Sequence, residues 1–135
     1  MSALNILIIE DNSVNLLVAQ SLLKTRGLKT QPADNSVLAI ARVKEFHEQN
    51  NRNFNVITID CEVPIMDRYT SMATIRSFES DYELSLDRCS FIIGLNAHAL
   101  QESKDKSLEA GMNVYMTKPI DKELLLKTLK ESALP

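Results

Sequence analysis

Apolar positions follow two different periods along the chain, and the two periods alternate. Short, nearly continuous apolar runs rich in β-branched residues occur at residues 4–9, 28–31, 54–59, 91–95 and 113–117. Runs of this length and composition are typical of strands that are buried on both faces of a sheet. The run at 28–31 is the weakest of them and is interrupted at Pro32. The pattern therefore predicts five strands.

Segments with a helical period follow the predicted strands. The first begins after Asp11-Asn12-Ser13, and its apolar stripe comprises Val14, Leu17, Val18, Leu22 and Leu23. Four further helices are predicted at residues 37–46, 69–78, 100–110 and 121–133. Residues 62–67 are predicted to form a loop, because Pro64 disfavours helix in the residue before it. Residues 79–90 are predicted to form a long polar connection.

Strands that alternate with helices imply a parallel sheet with right-handed crossovers and helices on both faces. The sequence therefore predicts a doubly wound α/β fold, and 135 residues fit a single domain, residues 1–135. In such sheets ligands bind at the carboxyl ends of the strands, near the point where the strand order reverses. We therefore look for functional residues where the strands end.

Composition and charge exclude several classes of function. A net charge of −3 without a basic stripe argues against nucleic-acid binding. The longest apolar runs, such as residues 6–9, are far too short to span a membrane, and residues 1–5 lack the basic segment of a secretory signal. Cys61 and Cys89 form no CxxC pair. We therefore expect a reduced protein in the cytoplasm.

Charged and polar residues occur where the predicted strands end. Glu10 and Asp11 follow the first strand, Asp60 the third, Asn96 the fourth and Lys118 the fifth. If the first, third and fifth strands are near neighbours, three carboxylates and one ammonium meet at one rim of the sheet. Two carboxylates about 5 Å apart repel by roughly 3 kcal/mol at an effective dielectric constant near 20, so such a group needs compensation. Mg²⁺ with oxygen ligands supplies it, and Lys118 adds a positive charge. Any one of these acids alone is better explained as a helix cap or a solvated loop residue.

Three segments carry a resemblance to a known family. Residues 8–12, 57–67 and 116–120 resemble the corresponding segments of the receiver domain of two-component response regulators, in order and at the expected spacing. The context of Asn12, Asn15 and Cys61, together with residues 95–99, is most similar to receivers attached to hybrid histidine kinases. The resemblance covers essentially the whole chain. It implies a flavodoxin-like (βα)5 fold with five parallel strands in the order 2-1-3-4-5.

The resemblance also implies roles for individual residues. Asp60 matches the aspartate that accepts a phosphoryl group from a phosphohistidine. Glu10 and Asp11 match the acidic pair that holds Mg²⁺, together with Asp60 and the backbone carbonyl of Glu62. Lys118 matches the lysine that contacts the phosphoryl oxygens. These positive charges would neutralise the charge that builds up on the transferring group.

Other positions bear on switching and on rates. Tyr115 matches the aromatic residue that changes rotamer on activation, whereas Asn96 stands where the family has Thr or Ser, so we expect a weakened or altered switch. Arg68 stands where the family usually has Gly with positive φ, which predicts an altered turn or about 1 kcal/mol of strain. Glu62 and His98 match positions that tune the rate at which water removes the phosphoryl group.

The resemblance favours a phosphorelay module whose only activities are self-phosphorylation and slow autodephosphorylation. Its expected partner is a histidine kinase or a histidine-phosphotransfer domain, which would dock near Pro119 and the first helix. The kinase would be an intramolecular partner if the chain is part of a hybrid. Two alternatives stay open: a degenerate receiver that binds proteins independently of phosphorylation, and a Mg²⁺-dependent phosphohydrolase with Asp60 as nucleophile.

Overall fold

The computed structural model describes residues 5–24, 28–60, 65–96 and 111–117, together with Glu123 and Lys127. Its strands are β1 Asn5–Ile9, β2 Lys29–Ala33, β3 Val56–Asp60, β4 Phe91–Asn96 and β5 Val114–Thr117. Its helices are α1 Ser13–Lys24, α2 Ser36–Asn50 and α3 Ile65–Asp81, with a short 3₁₀ turn at Leu86–Arg88. All five predicted strands are confirmed. The predicted helix at 100–110 lies outside the described residues, as does that at 121–133 apart from Glu123 and Lys127, which are helical.

The five strands form one parallel sheet in the order β2-β1-β3-β4-β5, which confirms the predicted order. β1 lies between β2 and β3, with Ile8 opposite Pro32 on one side and Thr58 on the other. The sequence predicts that Pro32 ends β2, but the strand continues through it to Ala33. β2 is an edge strand, and a residue without an N–H group is tolerated there.

Each side of the sheet has its own hydrophobic core, because successive residues of β1 face opposite sides. Ile6 and Ile8 pack in a cluster that includes Ala19 and Leu23 of α1. The opposite cluster contains Leu7 and Ile9 of β1 together with the α2 and α3 residues Ala39, Val43, Phe46, Met72 and Ile75. The described helices therefore cover both faces, as predicted for a doubly wound fold. None of the described helices is long and apolar enough to cross a membrane.

Only part of the predicted apolar stripe of α1 is buried, since Leu22 and Leu23 pack in the core. Val14, Leu17 and Val18 are 67%, 65% and 63% exposed, whereas Ala19 and Leu23 are buried. At about 100° per residue, the first three side chains lie on the side of the helix opposite Ala19 and Leu23. Both sides of α1 are therefore apolar, and the expectation that Val14, Leu17 and Val18 face the core is wrong. They form an exposed patch, which we call the α1 apolar face.

α3 is longer than predicted at both ends. The sequence predicts a loop through residue 67 and a helix at 69–78, but α3 begins at Ile65 and ends at Asp81. Proline restricts the residue before it and not those after it, so a helix can begin immediately after Pro64. Arg68 therefore lies inside a helix and has no positive φ, so the expectation of backbone strain at this position is wrong. In the described part of the chain, the positive-φ residues other than glycine are Asn51 and Glu83.

The predicted connection at 79–90 is also shorter than expected. Its first residues belong to α3, and the 3₁₀ turn occupies Leu86–Arg88. Glu79 and Ser90, at the two ends of this segment, are buried. Polarity in this part of the sequence therefore reflects a buried network as well as a solvated loop.

Candidate functional site

Three carboxylates meet at the carboxyl ends of two neighbouring strands. Glu10 and Asp11 follow β1, and Asp60 is the last residue of β3, which pairs with β1. Glu10 is 6% and Asp60 3% exposed, while Asp11 is exposed. One oxygen from each carboxylate lies within 4.8 Å of the other two. The structure thus brings together the three acids that the sequence predicts at one site.

Such a cluster favours a cation. With one oxygen of each within 4.8 Å of the other, the Glu10 and Asp60 carboxylates repel by about 3 kcal/mol at an effective dielectric constant near 20. Mg²⁺ takes oxygen ligands about 2.1 Å away, so two oxygens bound to one ion lie no more than about 4.2 Å apart. The cluster therefore fits Mg²⁺ after small side-chain movements, or with one carboxylate bound through a water molecule.

The backbone around Glu10 fixes both its carboxylate and the start of α1. The Glu10 backbone N–H donates to the carbonyl oxygen of Ala33 at 3.0 Å, and its Oε2 accepts a hydrogen bond from the Asn12 N–H at 3.2 Å. Asn12 Oδ1 in turn accepts from the backbone N–H groups of Val14 and Asn15, both at 3.0 Å. Asn12 therefore caps α1, as expected for an Asn at this position. The helix begins directly on the loop that carries two of the acids.

A cavity of about 480 Å³ adjoins the acids. Its lining residues come from β1 and the residue after it, and from α1, β3 and β4: Ile8, Ile9, Glu10, Asn15, Val18, Ala19, Leu22, Thr58, Asp60 and Leu95. Such a volume leaves room for a phosphoryl group beside Asp60. Sequence reasoning did not single out Thr58. The available signal was strand alternation, because Thr58 is two residues before Asp60 and so lies on the same face of β3.

The remaining predicted site residues lie at the same edge of the sheet or outside the described residues. Asp60 pairs with Leu95, one residue before Asn96, and Asn96 pairs with Thr117. The backbone of Tyr115 lies in β5. Three other predicted residues lie outside the described residues, namely Glu62, His98 and Lys118.

Known sequences similar to this chain point to one protein family. The sequence profile of the response regulator receiver domain matches residues 6–130. Hybrid signal transduction histidine kinase M of Dictyostelium discoideum is 36% identical over 126 residues, which are 93% of this chain and 5% of that protein. Sensor histidine kinase GacS of Pseudomonas protegens is 32% identical over 125 residues, 92% of this chain and 12% of that protein. The chain thus spans only a small part of these relatives.

Solved structures with the same fold include two receiver domains from signalling proteins. One is the co-crystal structure of the Saccharomyces cerevisiae histidine phosphotransfer protein Ypd1 with the receiver domain of Ssk1. A chain of that structure matches this chain with a TM-score of 0.81 and 27% identity, over 97% of this chain and 89% of that one. The receiver domain of sensor histidine kinase PA1611 from Pseudomonas aeruginosa, with magnesium coordinated in its active-site cleft, matches with a TM-score of 0.77 and 28% identity over 98% of both chains. The predicted resemblance is confirmed by this agreement, and the chain belongs to the response regulator receiver domain family.

Proposed function

We propose that this domain, residues 1–135, acts in a phosphorelay in which Asp60 accepts a phosphoryl group from a phosphohistidine in a Mg²⁺-dependent step. The observation that carries the proposal is the convergence of Glu10, Asp11 and Asp60 beside the cavity. A buried carboxylate pair is costly to maintain unless a cation offsets its charge. The intact cluster therefore favours phosphorylation over the alternative of a degenerate receiver.

The proposed transfer is a displacement at phosphorus. An Asp60 carboxylate oxygen forms a bond to phosphorus as the bond from phosphorus to the donor imidazole nitrogen breaks, and that nitrogen keeps the electron pair. Glu10, Asp11, Asp60 and the backbone carbonyl of Glu62 would hold Mg²⁺. The bound ion would neutralise charge on the phosphoryl oxygens. The magnesium ion in the PA1611 receiver domain supports this assignment.

Further residues complete the proposal on the strength of family membership. Lys118 would contact the phosphoryl oxygens, and Asn96 with Tyr115 would transmit the phosphorylated state to the protein surface. Glu62 and His98 would tune the rate of hydrolysis. The proposed activities are self-phosphorylation and slow autodephosphorylation, and no catalytic activity towards other molecules is proposed.

The proposed partner is a histidine kinase or a histidine-phosphotransfer domain. The α1 apolar face supports this, because three large apolar side chains are exposed on a helix that begins beside the acids. Exposed apolar patches of this kind commonly mark sites of protein interaction. The co-crystal of Ypd1 with the Ssk1 receiver domain shows such a pairing in a related protein. A cytoplasmic location belongs to the same proposal.

Intact-protein mass after incubation with Mg²⁺ and a small-molecule phosphodonor tests the acceptor chemistry. We expect one added phosphoryl group in the wild type, none in Asp60→Asn and none when EDTA replaces Mg²⁺. Asp34→Asn is the matched control, because Asp34 is exposed and follows β2 rather than β1 or β3. Absence of the adduct together with absence of beryllofluoride binding would refute the proposal. A phosphorylated Asp60→Asn variant would refute the assignment of Asp60.

A further inference from the structure

A polar network at the opposite end of the sheet from the acids connects α3 to two strands. Arg76 and Glu79 of α3 form an ion pair with 2.7 Å between Nη1 and Oε1. Glu79 is buried, with 4% of its side chain exposed, and Arg76 is 27% exposed. Neither residue belongs to the proposed phosphoacceptor site. We call this pair and its partners the α3 clamp.

Arg76 uses its whole guanidinium group in the clamp. A guanidinium has five N–H donors in a rigid planar arrangement. Nε donates to the Gly111 carbonyl at 3.0 Å, and Nη1 donates to Glu79 and to the Ser90 carbonyl at 2.9 Å. Nη2 donates to the Gly111 carbonyl at 2.8 Å and to Asn113 Oδ1 at 2.6 Å. All five donors are therefore used, and lysine could not reproduce this arrangement.

Glu79 ties the same helix to the amino ends of β3 and β4. Its Oε2 accepts hydrogen bonds from Asn53 Nδ2 at 2.9 Å and from the Ser90 backbone N–H at 2.7 Å. Asn113 completes the connection, since its Oδ1 also accepts from the Ile92 N–H at 2.8 Å. The clamp thus fixes the start of β4 and the start of β5 to each other and to α3.

The two fixed strands are those that carry the proposed switch positions. Asn96 is the last residue of β4, which begins next to Ser90, and Tyr115 follows Asn113 by two residues in β5. α3 follows the strand that ends in Asp60. Strands held at their amino ends by the clamp would transmit a displacement at their carboxyl ends, because a tightly packed and tethered element passes strain on to its neighbours. Strands without the clamp would absorb the same displacement by local shifts.

We propose that Arg76 is a positioning residue that couples Asp60 to the strands carrying Asn96 and Tyr115. The proposal rests on the proposed phosphoacceptor function and adds a site of regulation to it. Arg76→Lys keeps the charge opposite Glu79 but cannot hold Gly111 and Asn113 together. It should therefore loosen the clamp without leaving a buried carboxylate uncompensated.

Arg42→Lys is the matched control. Arg42 is a half-buried arginine on α2, and its buried Nε has no hydrogen-bond partner within the described part of the chain. The same substitution there removes no comparable network. We expect amide hydrogen exchange at Ile92 and Asn113 to be about tenfold faster in Arg76→Lys and unchanged in Arg42→Lys.

The test uses beryllofluoride with Mg²⁺ as the probe and follows backbone amide NMR shifts at Ile59 and Met116. In the wild type and in Arg42→Lys we expect shifts at both positions. In Arg76→Lys the shift at Ile59 should persist while that at Met116 falls by at least half. An unchanged Met116 shift alongside faster Asn113 exchange would overturn the proposal.

Three other outcomes also decide the matter. If Asn113 exchange is unchanged in Arg76→Lys, the same shifts are read from the paired variant Arg76→Met with Glu79→Leu, which removes both charges, and an undiminished Met116 shift there overturns the proposal. If beryllofluoride shifts the amide signal of Ile59 but not that of Met116 in the wild type, the proposed coupling is overturned and the phosphoacceptor function stands. A wild type with no shift at Ile59 refutes the phosphoacceptor function itself.

Discussion

Replacing Glu10 by Gln tests whether the acidic cluster is electrostatically strained without a cation. The amide keeps the size of the side chain and an oxygen that can accept the Asn12 N–H. It removes one charge of the buried pair with Asp60, whose repulsion is about 3 kcal/mol at an effective dielectric constant near 20. Because relaxation reduces this value, we expect Glu10→Gln to stabilise the protein in EDTA by about 1–3 kcal/mol.

The assay is urea unfolding and thermal unfolding at neutral pH, in EDTA and in Mg²⁺. The expected gain in EDTA corresponds to a rise in melting temperature of roughly 3–10 °C for a domain of this size. Mg²⁺ at about 100 times its dissociation constant should stabilise the wild type by about 2.7 kcal/mol. It should stabilise Glu10→Gln much less, because one anionic ligand is gone.

Asp34→Asn is the control, since it removes an exposed acid that is not part of the cluster and should change stability by no more than about 0.5 kcal/mol. Glu10→Gln that is less stable than the wild type in EDTA would refute the electrostatic reasoning. Equal stabilisation of both proteins by Mg²⁺ would show that Glu10 does not hold the ion.

Three further predictions concern other parts of the molecule. Leu17→Ala, on the α1 apolar face, should weaken binding of a histidine-phosphotransfer domain about fivefold in calorimetry and leave the melting temperature unchanged; unchanged affinity would exclude this face as the contact. Asn12→Ala should cost about 1 kcal/mol in urea unfolding through loss of the α1 cap, and a neutral result would contradict the capping role. Gly111→Ala should cost more than about 1 kcal/mol, because Gly111 has φ +113° and a Cβ there would lie 3.0 Å from Arg76 Cγ; unaltered unfolding would show that the clamp adapts.

The predictable part of the fold follows from local chemistry. A strand that is buried on both faces is apolar throughout, which locates β1, β3 and β4, whereas the half-buried edge strand β2 gives the weakest signal. The alternation of strands with helices gives the fold class. The placement of the three acids follows from a different rule, because the carboxyl ends of parallel strands meet at one edge of the sheet. Their meeting at Glu10, Asp11 and Asp60 also needed β1 and β3 to be neighbours, and that strand order came from the resemblance to the receiver family.

Element ends and the orientation of α1 were less predictable. α1 is apolar on two opposite sides, and the periodicity of Val14, Leu17 and Val18 alone cannot tell which side faces the sheet. The start of α3 at Ile65 was missed because the effect of Pro64 was extended to the residues that follow it. As a result, Arg68 was expected to lie in an altered or strained turn, whereas it lies in an ordinary helix.

By itself the sequence determined the order of elements, the parallel sheet and the acids at its edge, because these depend on periods and on strand ends. Only the tertiary structure decided which face of α1 is exposed and which residues Arg76 binds. The partners of Arg76 range from Glu79, one helical turn away, to Asn113, 37 positions along the chain. No local pattern encodes such a network, because its energy arises only when distant backbone carbonyls and side chains are packed around one guanidinium group.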